Sequence, residues 1–187
     1  MSRVVGWIAI QGMPEDRVAE LLGLVAASEA SKLRASICSL SNGWSVLFTF
    51  DFGFPTPERM ALLSAPGTAI AVSADERTMF SVVRGYERGK AVFAIEHDGG
   101  SEGARHIAAV GTLPAAWAGV LEKANRQQDE EDAGDAMVDF VFDAPTALAE
   151  ALCGYRDDQP RPEGQEPEFR LLAEKKRPGL LGWLFGR

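Results

Sequence analysis

Two β-prone runs, Leu33 to Leu40 (LRASICSL) and Trp44 to Phe52 (WSVLFTFDF), are separated only by Ser41-Asn42-Gly43. Asn and Gly both tolerate positive φ, so so short a connection folds the chain back on itself as a hairpin. The stretch Met79 to Asp98 (MFSVVRGYERGKAVFAIEHD) repeats the logic, turning at Glu87 to Lys90. Parallel neighbours would need a crossover of about a dozen residues or more. The sheet built from these runs must therefore be largely antiparallel.

Other segments fit around it. Val4 to Ile10 (VVGWIAI) is a continuous apolar run with β-branched residues, the pattern of a strand covered on both faces. It is too short for a membrane span or for a secretory core with its processing site. Pro14, Glu15 and Asp16 suit the first turn of a helix whose stripe is Val18, Leu21 and Leu22 and whose stop is Gly23. Thr56-Pro57-Glu58 starts a second helix, with Thr as N-cap and Pro at the first helical position. Thr68 to Ser73 reads as a further strand, and Trp117, Val120, Leu121 and Ala124 recur at helical spacing. Gln127 to Asp135 (QQDEEDAGD) reads as a charged break and Met137 to Asp143 (MVDFVFD) as an alternating strand. Asp143 then caps a helix with Leu148, Ala151, Leu152 and Tyr155 on one face and Gly154 at its end. Trp44, Val46, Phe48, Phe50 and Phe52 share one face at period two, which must be core or a large apolar groove.

These elements predict an α+β domain over residues 1–156, a largely antiparallel sheet of about six strands with about four helices. Residues 157–168 (DDQPRPEGQEPE) are polar, Pro or Gly throughout and read as a linker. Residues 169–187 follow as a basic amphipathic tail, in which Phe169 to Arg177 is expected to form a short helix ended by Pro178.

Charge divides along the same line. Of a net charge of -8, residues 1–168 carry 14 Lys and Arg against 26 Asp and Glu, whereas 169–187 carry 5 against 1. An acidic body repels nucleic acid and anionic lipid, so nucleic-acid binding is not expected and only the tail could attract a membrane surface. Cys38 and Cys153 have neither C-x-x-C nor zinc-type spacing and read as reduced, buried thiols of a cytoplasmic protein.

Glu96-His97-Asp98 ends a strand and places an imidazole beside two carboxylates, the raw material of general base catalysis. Side chains alternate along a strand, so Glu96 and Asp98 face one way and His97 the other, with Phe93 and Ile95. An alternative ligand site would gather His97, Asp98, Glu102 and His106 around the loop Gly99 to Arg105. Neither histidine has the spacing of a metal framework. Gly99 to Gly103 (GGSEG) matches no phosphate-binding loop, Gly-x-Ser-x-Gly is absent, and Asp129 to Asp135 lacks the order of oxygen ligands that a calcium loop needs. No catalytic residue, metal or cofactor is assigned on this basis.

The tail is the feature that asks for a partner. Leu180, Leu181, Trp183, Leu184 and Phe185 stand beside Lys175, Lys176 and Arg177 beyond a polar linker. Each large apolar side chain gains about 1.5–3 kcal/mol when it leaves water. The expected role is a non-enzymatic interaction module, adaptor-like or inhibitor-like, whose tail contacts another protein. Self-association, docking on its own domain and peripheral membrane contact are the other uses of such a segment. A small enzyme or ligand-binding domain centred on the His97 to His106 loop is the alternative.

Overall fold

The computed structural model describes residues 2–28, 33–133, 138–159 and 167–175. Along the chain these form β1 (Val4–Gln11), α1 (Glu15–Leu21), β2 (Leu24–Ala26), β3 (Leu33–Ser39), β4 (Trp44–Thr49), α2 (Pro57–Ser64) and β5 (Thr68–Asp75). There follow β6 (Phe80–Glu87), β7 (Lys90–Asp98), α3 (Gly99–Glu102), β8 (Ala108–Gly111), α4 (Trp117–Asp132), α5 (Ala144–Cys153) and β9 (Arg170–Glu174). The α+β class and the antiparallel sheet agree with expectation, but the described residues hold nine strands and five helices rather than about six and four.

All nine strands form one sheet in the order β2-β9-β3-β4-β1-β5-β6-β7-β8. Every neighbouring pair in it is antiparallel. The turn between β6 and β7 places Arg88 and Gly89 at φ 48 and 80, the double positive pair that matches the twist of a two-residue hairpin. Both faces of β1 are covered, as its unbroken apolar run requires. Ile8 and Ile10 pack with Ile37, Leu47, Met60 and Leu63 beneath α1 and α2. Trp7 and Ala9 pack on the opposite face with Val46, Val72, Ile95 and Leu148 beneath α5, against which α4 leans. Thr56 caps α2 through its hydroxyl, which accepts from the Arg59 N–H at 3.3 Å.

Four local expectations are corrected. Phe169 to Lys175, the described part of the expected tail helix, is not helical: Arg170–Glu174 is β9, inserted between β2 and β3, with Leu172 fully buried. Two or three helical turns are marginal alone, whereas a strand in this slot satisfies backbone groups on both of its edges. Nor does the charged run end the preceding helix, since α4 continues through Gln127-Gln128-Asp129 to Asp132. Residues 138–143, expected as a strand, are irregular. A glutamine of α4 takes the place of a neighbouring strand: Gln128 Nε2 donates to Val138 O at 3.2 Å and its Oε1 accepts from Phe140 N at 2.8 Å. The aromatic strand ends at Thr49, whose Oγ1 accepts from Asp51 N, so the period-two row stops at Phe48 and Phe50 stands 81% exposed.

Asp157 and Asp158, polar residues that composition groups with the linker, are held against the fold by arginines. Arg3 grips Asp157 at 2.8 and 3.0 Å, and Arg156 grips Asp158 at 2.7 Å.

Candidate functional site

Strand alternation places His97 on the α5 side of β7, with Phe93 and Ile95. Its side chain is fully buried. Nδ1 lies 2.8 Å from the backbone oxygen of His106 and Nε2 lies 3.0 Å from Asp139 Oδ2. Both ring nitrogens thus lie within hydrogen-bond distance of oxygen atoms. Asp139 in turn accepts from Phe142 N through Oδ1 at 2.9 Å. Phe142 sits edge-on to the imidazole at 6.1 Å, and its carbonyl accepts from Ser81 Oγ at 2.6 Å. The histidine joins three elements: β7, the loop after α3 and the irregular segment before α5.

The four residues of the alternative ligand site are therefore divided. Asp98 lies on the other side of the strand, against Phe52, Asp75, Phe80 and Ser101, and its Oδ1 accepts from Ser101 N at 2.9 Å. The Asp98 N–H donates to His106 Nδ1 at 2.9 Å, so the two histidines are linked through backbone, with ring centres 6.5 Å apart. Glu102 is exposed on α3. A fully buried imidazole engaged at both nitrogens positions backbone rather than offering a lone pair to a substrate. Among the described residues no group of three or more His, Cys, Asp or Glu side chains is arranged to hold a metal ion.

Asp139 was not legible as the partner of His97, because 42 residues separate the two. A second polar centre was equally hidden. Arg3, at the start of β1, bonds Asp157, which also accepts from Trp7 Nε1 at 2.9 Å. Arg156 bonds Asp158, and both arginines stand near Asp143, at 3.8 and 3.6 Å. Burial first, and then the charge of Asp158, push the Asp143 carboxyl up to about 6; the charges of Arg156 and Arg3 offset this only in part. The best geometry of each arginine is already given to another aspartate. Asp158 goes the opposite way: burial works to raise it, but the hydrogen bond and charge of Arg156 hold it below the usual carboxylate range.

The third feature is apolar and open. At the end of the sheet where β9 stops, Leu22, Leu24, Phe48, Phe50, Phe54 and Leu171 line a groove of about 390 Å³. Leu171 pairs with Ser36, and Ser36 with Phe48, so the row crosses three strands. Phe50 stands edge-on to Phe48 at 5.1 Å, and Leu171 is 50% exposed. Charged side chains on the rim are mostly engaged. Arg34 reaches Glu174 at 2.8 Å, while Arg59 lies over the Phe54 ring at 4.2 Å and donates to Phe54 O at 2.7 Å.

Of the tail residues singled out in the sequence, Lys175 is described: it is exposed, and its N–H donates to Gly23 O at 3.1 Å. Lys176, Arg177, Leu180, Leu181, Trp183, Leu184 and Phe185 lie outside the described residues. Cys38 and Cys153 are both buried. No described helix is long and apolar enough to cross a membrane.

By architecture the chain is a mixed α+β protein built on one antiparallel nine-stranded sheet with helices on both faces. No protein-family model, curated protein or solved structure matches it.

Proposed function

We propose that the chain is a protein-interaction module, adaptor-like or inhibitor-like, which contacts its partner through its C-terminal tail and the end of the sheet where β9 stops. One observation carries this reading: β9, the last described strand, ends at Glu174 on an open apolar groove that exposes Phe50 and Leu171. Single exposed apolar residues are ordinary on protein surfaces, but a contiguous apolar groove is a feature of interaction sites. In the sequence the apolar cluster Leu180 to Phe185 follows soon after Glu174, which lines the groove. The engagement of both His97 nitrogens favours a structural role for that histidine, and so favours this reading over one centred on the His97 to His106 loop.

The test is affinity capture from native lysate with the full chain and with a version ending at Lys175. A specific protein retained by the first and lost by the second supports the reading. Equal recovery by both versions overturns it. The shorter version keeps every described strand, so loss of binding would not be confused with loss of the sheet.

A further inference from the structure

We propose that β8, the outer edge of the sheet, pairs antiparallel with β8 of a second copy of this chain, joining two sheets edge to edge about a two-fold axis at Ala109. The first argument is the state of that edge. β8 ends the strand order and is hydrogen-bonded in the sheet to β7 alone. All four of its residues are exposed, Val110 to 65%.

The direction of the backbone follows from the ladder. Thr112 N donates to Val92 O at 2.9 Å, and Val110 and Ala108 stand opposite Ala94 and Glu96 at the same two-residue spacing. Peptide groups alternate along a strand, so Val110 and Ala108 direct theirs at β7 while Ala109 turns its N–H and C=O outward. Among the described residues nothing bonds either group. Sheet edges are commonly guarded by a lysine, a proline or a bulge. None of these interrupts β8, which reads Ala-Ala-Val-Gly and keeps an unbroken register with β7.

Symmetry and charge decide the occupant. By the same alternation the outward positions are Ile107, Ala109 and Gly111, a set symmetric about Ala109. An antiparallel copy therefore sets Ala109 against the partner's Ala109, each donating to the other, and Ile107 against the partner's Gly111. In this register Val110 falls beside the partner's Ala108, a larger side chain beside a small one. Like charges directly opposite destabilise a strand pair, and a chain of net charge -8 meets its own copy at that disadvantage over much of its surface. Here no Lys, Arg, Asp or Glu stands between Arg105 and Glu122. Arg105 itself is held by Asp129 and Asp132, at 2.7 and 2.6 Å. A patch that pairs with itself closes at two copies. The contact uses neither the groove nor the tail, so it stands or falls apart from the proposed function.

Sedimentation equilibrium of the full chain, from low micromolar to near-millimolar concentration, should show a mass rising toward twice the 20.2 kDa of one chain. Ala109→Pro deletes the outward donor and leaves the donors to β7 in place, a change that an edge strand accommodates. Val110→Lys puts a charge on the edge at an exposed position. Each variant should hold the mass at 20.2 kDa at every concentration, with circular dichroism melts to confirm its fold. In the unmodified chain, hydrogen exchange at the Ala109 amide should slow as concentration rises.

The mass of a single chain throughout overturns the proposal. So does a dimer that persists in the folded Val110→Lys variant, or an Ala109 amide that exchanges equally fast at both ends of the range. Masses that climb beyond two chains overturn it as well, since they mark an open head-to-tail contact. Should Ala109→Pro disturb the fold, Val110→Lys and the exchange of the unmodified chain decide alone.

Discussion

Gly99 decides whether His97 and Asp139 can meet. A Cβ at this position would lie 2.6 Å from both His97 Nε2 and Asp139 Oδ2, closer than either atom could tolerate. Gly99→Ala should part the pair and leave a buried imidazole nitrogen without its acceptor, costing about 2 kcal/mol. Urea denaturation would show this as a lower midpoint with an unchanged slope, and an unaltered midpoint would mean that the pair opens freely. Asp143 gives a prediction about pH. Its carboxyl keeps its proton up to about 6 in the fold, against an ordinary value of 3.8. Between those limits the folded state binds more protons than the unfolded chain, so the contribution of Asp143 to stability falls as pH rises through that window. Asp143→Asn should remove this slope and leave the melting temperature at neutral pH equal to or above that of the unmodified protein. Thermal melts across the window check it; a melting temperature that drops at neutral pH would show that the long contacts with Arg3 and Arg156 outweigh the burial of the charge. Asp158 has the opposite sign: its depressed carboxyl stabilises the fold above the ordinary value, and that contribution is lost as pH falls through its folded-state titration.

At the scale of elements, β9 most changes the reading of the chain. Leu172 is fully buried against the α1 and α2 side of the sheet, with Ala35 as its cross-strand partner. Leu172→Ala should cost about 3 kcal/mol, as for other buried leucines, and the β9 amides should exchange as slowly as those of β3. A cost near zero, with fast exchange, would return the segment to the status of an appendage. Elements that carry their own local signal were legible. The Asn42-Gly43 and Arg88-Gly89 turns and the Thr56-Pro57 cap each encode their geometry within a few residues. The apolar run of β1 announced a strand buried on both sides. What was not legible depends on partners far along the chain. Residues 138–143 alternate like a strand, yet Gln128 and His97 fix them as an irregular bridge. Arg170 to Glu174 is too short to declare its period, and only the vacancy between β2 and β3 decides it. The groove was half visible, since the aromatic row suggested core or groove, and the strand end at Thr49 divides the row between the two.

For the whole molecule, the sheet order places the last described strand inside the sheet rather than at its edge. β2 is hydrogen-bonded in the sheet to β9 alone, and β9 is the link between β2 and β3. Removing β9 therefore does more than shorten the chain. It detaches β2, leaves the outer edge of β3 unpaired and uncovers the side of the core that holds Leu24 and Ile37. Exposed edges of this kind promote pairing between molecules. A chain ending at Gln159 should accordingly aggregate, or melt broadly and at a lower temperature, whereas one ending at Lys175 should keep a cooperative transition close to that of the full chain. Circular dichroism melts of the two, with light scattering to record aggregation, distinguish the cases; equal cooperative transitions would show that β1 and β3 to β8 suffice. Because β9 pairs with strands more than a hundred residues earlier, sheet completion waits for the C-terminal part of the chain. The groove takes Leu171 and Glu174 from that same strand, so the surface proposed for recognition exists only on molecules whose sheet is complete.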